Sequence, residues 1–389
     1  MKSESLLRPV WAEIYLDHLA HNIKEIRKSI PEKTILCCVI KANGYGHGSV
    51  EFARHLERFG VERFAVATLT EALELRKSGC HKPILILGYT PDEMVSYAIE
   101  EDLTLTVYTL EQARKISDES KRLNKKAVIH IKLDTGMSRL GFQPNTKSIE
   151  EINRIIEMPN LEIEGLYTHF AAADEADKKE ARLQMTRYNG FCHDLEKRNI
   201  SIPIKHMANS AAIIDLPETH LDMVRAGIMI YGLYPSEEVS HQEIHLKRVM
   251  ALKARVAHVK EIEEGTGVSY GLTFRAPARM KIATLPVGYA DGYTRMLGGK
   301  AEVTIQGTKC PVIGRICMDQ CMVDVTGLDV HRGDEVTLYA VDKEEGDTVD
   351  DVARKLGTLN YEITCMVGRR VPRVYIEAGK TLKNRDDLL

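Results

Sequence analysis

Residues 34–48 read TILCCVIKANGYGHG: an apolar run through Ile40, a lysine at Lys41, then glycines at positions 44, 46 and 48. The run has the length and β-branched content of a short buried strand. Residues 48–58 return apolar side chains at helical spacing, so Lys41 is expected to leave the carboxyl end of a strand in a strand-loop-helix unit. Ligands gather at that end in folds built of such units. A lysine against an apolar wall has its ammonium form disfavoured, which frees the amine to attack a carbonyl and form a Schiff base. Three glycines let the backbone come close to a bound group. The same letters also suit a solvent lysine beside an ordinary turn, and the surrounding chain has to decide.

Working outward, the unit repeats. Short β-rich runs (TILCCVI, RFAVAT, PILILG, LTLTVYT, AVIHIKL, LEIEGLYTHF, IPIKHM, HLDMVRAG) alternate with amphipathic stretches such as residues 70–78, 110–123, 148–157 and 178–197. Eight strand-helix units in about 200 residues predict an α/β fold, a closed (β/α)8 TIM-type barrel over residues 14–240. Residues 235–243 are a polar connector. Beyond them, β-type runs (VMALKARVAHVKEI, MKIATLPVGYA, AEVTIQG, KCPVIGRI, QCMVDVTG, DEVTLYAV) separated by Gly-rich turns predict a mainly β C-terminal domain over 241–389, with one helix at 348–356. Residues 1–13 are expected to associate with that second domain.

A chain of 389 residues is long for one core, in keeping with two domains. With 53 basic and 56 acidic residues, the formal net charge of -3 gives no reason to expect nucleic acid or an anionic membrane, and a small-molecule substrate is expected instead. The N-terminus lacks the basic and apolar segments of a signal peptide, and no run of about 18 apolar residues occurs, so a soluble cytoplasmic protein is expected. Eight cysteines show neither a disulfide framework nor zinc-site spacing, and no metal is expected.

Polar residues stand where a barrel's active site would need them. Lys41 and Tyr45 follow the first strand, and Lys132, Asp134 and Arg139 lie at or after the fifth. His169 ends the sixth; His206, Asn209 and Ser210 follow the seventh; Arg225, Gly227 and Ile228 end the eighth. Each has an ordinary reading, as a core histidine, a salt-bridged arginine or a helix cap. Together they supply a Schiff-base lysine, a phosphate site of glycine, serine and helix N-terminus, and a group able to face a ring nitrogen, which are the parts a pyridoxal-phosphate site requires.

The motifs WAEI, KANGYGHG, KLDTGMSRLG, GLYTHFA, HMANSAA, MVRAGIMIYGLYP, GVSYGLTF, PVGYADGY, VIGRICMDQCMVDV, LNYEI and RVPRVY, in that order over nearly the whole chain, closely resemble the bacterial alanine racemases, which are fold-type III pyridoxal-phosphate enzymes. The resemblance implies interconversion of L- and D-alanine by a two-base mechanism, supplying D-alanine for peptidoglycan. It makes Lys41 the Schiff-base lysine and one base, and Tyr270 the opposite base, supplied by the partner of a head-to-tail homodimer. His169 and Arg225 match the residues behind that tyrosine, and Arg225 also the one facing the pyridine nitrogen. Tyr45, Ser210, Gly227, Ile228 and Tyr361 match the phosphate-binding set, with Asn209 beside Ser210. Arg139 matches the arginine that meets the cofactor's phenolic oxygen and the substrate carboxylate, and Lys132 a lysine carried as a carbamate. Met318, with Asp319 beside it, matches a partner-subunit contact to the substrate carboxylate, and Tyr289 a tyrosine at the substrate entrance. A racemase of serine or a basic amino acid, a fold-type III decarboxylase and a non-catalytic pyridoxal-phosphate carrier are the rivals. Tyr361, filling the pocket around a methyl group, favours alanine.

Overall fold

The computed structural model describes residues 6–388. Residues 1–5, the start of the segment assigned to 1–13, and residue 389 lie outside the described residues.

The first strand, β1 (Val10–Tyr15), leads into the helix Leu16–Ser29, whose Leu16, Leu19, Ile23 and Ile26 form a buried stripe. Then come eight parallel strands: β2 (Ile35–Val39), β3 (Arg63–Val66), β4 (Ile84–Ile86), β5 (Thr104–Val107), β6 (Ala127–Lys132), β7 (Leu161–Tyr167), β8 (Ile204–His206) and β9 (Met223–Ala226). Their spatial order is β8-β7-β6-β5-β4-β3-β2-β9. Backbone bonds from Asp222 N to Lys205 O (3.1 Å) and from Arg225 N to Ala208 O (3.0 Å) join the two ends, so the sheet closes into the expected barrel. β3, β4 and β5 are buried along their whole length, as strands covered on both faces must be. Helix starts are set by side-chain caps: Thr68 with Glu71 in a capping box, Thr109, and Asn145.

The remaining strands build a ten-stranded sheet and a two-stranded ribbon. β10 (Met250–Arg255) pairs antiparallel with β1, and the strand Arg373–Glu377 pairs parallel with β1 on its other edge. The first strand of the chain therefore lies inside the second domain's sheet. The run at 249–262, which reads as one β segment, breaks at Val256–Ala257 into β10 and the strand His258–Ile262. The C-terminal part also holds a second helix, Asn360–Met366, besides Val349–Leu356. Its sequence, NYEITCM, is poor in helix formers, and packing rather than propensity holds it: Tyr361 lies beside the Tyr45 ring, with centroids 6.1 Å apart. All eight cysteines are unpaired, and no helix among the described residues is long and apolar enough to cross a membrane.

Candidate active site

β2 delivers Lys41 to the carboxyl end of the barrel, and the backbone then turns left-handed. Ala42, Asn43, Gly44, Tyr45 and Gly46 have φ of 52°, 53°, 61°, 48° and 82°, closed by bonds from Gly44 N to Ile40 O (3.0 Å) and from Gly46 N to Ala42 O (3.0 Å). Three of the five carry a Cβ, and the left-handed region costs such residues about 1–2 kcal/mol each. Such strain persists only where the surroundings impose it. Here the second domain does so. Arg373, fully buried, donates two N–H groups to Gly46 O (3.0 and 2.8 Å) and others to the carbonyls of Val367, Gly368 and Val371, while Tyr375 donates its hydroxyl to His47 O (2.9 Å). The fit leaves no room for side chains: a Cβ on Gly46 would stand 2.1 Å from Thr364 O, and one on Gly48 2.0 Å from the Tyr375 hydroxyl.

Burial first, then the nearby Arg139 guanidinium, holds the Lys41 amine below its ordinary pKa, with Glu71 opposing. Lys132, at the end of β6, is buried and pushed down to about 8 by burial, Arg139 and Arg225. Among the described residues it forms no ion pair, and its amine lies over the Tyr167 ring, 5.5 Å from the centroid. Arg139 itself is exposed.

Arg225 is buried and heavily bonded. One Nη1–H donates to His206 Nδ1 (2.8 Å), while Nη2 donates to Thr168 O (2.8 Å) and Met207 O (3.1 Å) and reaches His169 Nδ1 at 3.4 Å. Its Nε–H has no partner among the described residues. Since a guanidinium only donates, His169 Nδ1 accepts, which leaves the proton of the neutral ring on Nε2. Burial, and then Arg225, keep His169 well below its ordinary pKa and hence neutral.

Between β8 and β9 the hydroxyls of Tyr45 and Ser210 converge on bare backbone. Gly227 N donates to Ser210 Oγ (2.9 Å), and a Cβ on Gly227 would stand 3.2 Å from the Tyr45 hydroxyl and 3.6 Å from Ser210 Oγ. Ile228 opens the next helical turn, and Tyr361 borders Tyr45. The helix cap here is Asn209, whose Oδ1 accepts from Ala212 N (3.0 Å), so the Ser210 hydroxyl is free of capping duty.

Tyr270, Tyr289, Met318 and Asp319 form a second cluster. Backbone bonds from Tyr289 N to Cys317 O and from Ala290 N to Met318 O tie it together, as does the Ser269 hydroxyl on Arg315 O. Tyr270 is 65% exposed and Met318 52%; the Tyr270 phenol has no hydrogen-bond partner among the described residues, and Asp319 pairs with Arg370 at 2.7 Å. None of the four bonds to Lys41, Tyr45, His169 or Arg225 within the chain. Sequence reading passes over Arg373, a single arginine in a β-rich segment that looks like a surface residue, and over His130, Glu164 and Arg63 inside the barrel.

The site thus sets a buried lysine at the mouth of a (β/α)8 barrel, beside two hydroxyls over bare backbone, with a β domain appended. Family models for the alanine racemase N-terminal and C-terminal domains match residues 14–235 and 249–375, and the chain belongs to the alanine racemase family. It is 53% identical to the alanine racemase of Methanococcus maripaludis over 95% of this chain and 99% of the relative. The solved alanine racemase of Clostridium difficile 630 superposes with a TM-score of 0.96 at 44% identity, covering 99% of this chain and 100% of that one. A histidine racemase from Leuconostoc mesenteroides superposes at 0.89 with 27% identity, covering 96% and 99%.

Proposed function

We propose that this protein interconverts L- and D-alanine with pyridoxal 5'-phosphate as its cofactor, on active sites shared between the two subunits of a homodimer. The observation that carries the reading is the left-handed turn that presents Lys41 and Tyr45 together, beside Ser210, Gly227 and the unspent Nε–H of Arg225. The hydroxyl cradle over Gly227, which any side chain there would fill, suits a phosphate held by Tyr45, Ser210, Tyr361 and the backbone N–H of Ile228, with Gly227 giving close approach and its N–H fixing the Ser210 hydroxyl. When bound, the cofactor supplies an aldehyde for amines and a ring that draws electrons from the substrate's Cα–H bond.

The protein's own part is to hold and move protons. Lys41, its amine favoured neutral by burial, takes or returns a proton on one face of Cα. Tyr270 of the partner subunit serves the other face. A phenol with a reference pKa of about 10 needs help as a base, and the neutral His169, with its proton on Nε2, can donate a hydrogen bond that stabilises the phenolate. Arg225 offers a donor to the ring nitrogen and cannot surrender its proton, which keeps that nitrogen unprotonated and the electron sink weak. Arg139 positions the substrate carboxylate, with Met318 and Asp319 of the partner beside it, Tyr289 at the entrance, and Lys132 as the carbamate that orients Arg139. The barrel domain is taken as residues 14–240 and the β domain as 241–389 with the N-terminal segment joined to it. The product would serve the cytoplasmic supply of D-alanine for peptidoglycan.

Because a histidine racemase shares the scaffold, the fold alone does not set the side chain accepted. Tyr361, next to Tyr45, narrows the pocket toward a methyl group. Chiral analysis of L-alanine incubated with the protein and pyridoxal phosphate should show D-alanine rising to an equal mixture, and none with Lys41→Ala. Turnover of L-serine or L-histidine faster than of L-alanine would overturn the substrate assignment.

A further inference from the structure

A line of charged and polar side chains crosses the barrel interior, where branched apolar residues usually pack. At its amino-terminal side, Arg63, at the start of β3, holds Glu164 through two bonds of 2.5 and 2.6 Å. Glu164 Oε2 meets His130 Nε2 at 2.9 Å, His130 Nδ1 meets His206 Nε2 at 2.9 Å, and His206 Nδ1 accepts from Arg225 Nη1 at 2.8 Å. Both histidines are fully buried.

Two local devices build this line. In the pairing of β6 with β7, Ile129 faces Ile163 but His130 faces Gly165, so Glu164 is the extra residue of a β-bulge, and a bulge re-aims a side chain. Gly165 is bare where the His130 ring lies: a Cβ there would stand 2.4 Å from His130 Nδ1.

Arg63 Nη1 also stands 3.5 Å from His130 Nε2 but donates to Glu164 at 2.5 Å, and the direction of the bonds along the line is dictated from its two ends. The Arg225 guanidinium only donates, so His206 Nδ1 accepts and its proton sits on Nε2. That proton goes to His130 Nδ1, whose own proton on Nε2 goes to the Glu164 carboxylate. Both rings are then neutral with their lone pairs turned toward Arg225, which favours its buried positive charge. Burial holds both histidines below their ordinary pKa, and Arg63 and His130 hold Glu164 down to about 2, so the pattern stands across the neutral range. The other groups facing the line are Cys37, the buried Tyr188 beside His206 and Arg225, and Tyr167, whose ring stacks on His206 at 4.7 Å.

We propose that Glu164, His130 and Arg63 are positioning residues that fix, through His206, the orientation of the Arg225 guanidinium from the opposite side of the barrel. The proposal rests on the reading that Arg225 meets the cofactor's ring nitrogen. Glu164→Gln tests it, because an amide cannot serve both ends of its site. If its NH2 group faces His130, each ring must reverse and His206 meets Arg225 donor to donor; if it faces Arg63, donors collide there.

In the holoenzyme labelled with 15N-histidine, NMR should show two non-titrating neutral rings protonated on Nε2, and in Glu164→Gln at least one should change tautomer or begin to titrate between pH 6 and 9. The bound cofactor's absorbance should shift, with kcat reduced five- to fifty-fold and the KM for alanine within twofold of wild type. Glu164→Asp, which keeps the carboxylate, should recover kcat to within about threefold. Gly165→Ala, which displaces the His130 ring, should reproduce the absorbance shift if Glu164→Gln fails to fold. Wild-type rings protonated on Nδ1, or unchanged tautomers in Glu164→Gln, would overturn the relay. If the tautomers change while absorbance and kcat do not, the positioning role is overturned. An Arg225→Lys control separates the two failures: if it shifts the absorbance, only the relay is wrong, and if it does not, the reading of Arg225 fails as well.

Discussion

At Lys132, one residue combines burial, a cationic neighbourhood and the absence of any carboxylate partner among the described residues. Its folded pKa of about 8 lies below the ordinary 10.5. The unfolded chain therefore binds more protons between those values, and stability should rise with pH through that window. Compared with Lys132→Met, wild type in bicarbonate-free buffer should gain on the order of 2 kcal/mol in denaturant-derived stability between pH 7 and 10. Bicarbonate should raise the stability further across the window, because the ammonium and bicarbonate condense to a carbamate anion near Arg139 and Arg225, releasing water and a proton, and the rise with pH is kept. A pH-independent difference without bicarbonate would contradict the account. Lys132 stands out even in the bare sequence, because an ammonium at the end of an apolar strand has an obvious desolvation cost. Arg139 does not reveal its setting that way, since a Gly-flanked loop arginine reads the same whether buried or exposed.

Elements, more than single residues, decide how Lys41 is presented. The strand Arg373–Glu377 fixes the left-handed turn with a guanidinium that satisfies four carbonyl oxygens at once. Losing it leaves buried carbonyls unpaired at about 1–3 kcal/mol each. Arg373→Met should raise the dissociation constant for pyridoxal phosphate at least tenfold and speed amide hydrogen exchange over residues 42–48, and Gly46→Ala should do the same from the other side of the contact. Unchanged exchange in both variants would refute the lock. The alternation of strand and helix was legible because parallel strands buried on both faces are uniformly apolar and their helices are not. Polar residues at strand ends were legible because they interrupt that pattern. The inward turn of Glu164 was not, since it depends on a bulge in register between two strands. Neither was the helix Asn360–Met366, whose residues prefer other conformations and take helical form only by packing on the lysine turn.

For the whole molecule, the exposed Tyr270 phenol forms no bond with Lys41 within one chain, and the shared-site reading makes a quantitative claim. In a symmetric dimer, Lys41→Ala mixed in equal amounts with Tyr270→Phe gives hybrids in which one of two sites is wholly wild type. Since half of randomly reassorted dimers are hybrids, activity should recover to about a quarter of wild type, where each variant alone has almost none. No recovery after confirmed subunit exchange would place both bases in the same chain.

The placement of β1 also bears on how the protein is made. Its register runs Val10 to Ala254 on one side and Ala12 to Arg373 on the other, so both of its pairings join segments more than 200 residues apart in the sequence. The barrel, built of contacts local in sequence, can form meanwhile, and sequence-distant pairing of this kind is slow. β1 is thus expected to be seated after the barrel. It also carries Trp11, the chain's single tryptophan, buried with its indole N–H on Glu13 and its ring 5.5 Å from the Arg255 guanidinium. Tryptophan fluorescence during refolding will therefore stay silent while the barrel assembles and will record the moment at which the two ends of the polypeptide are stitched together.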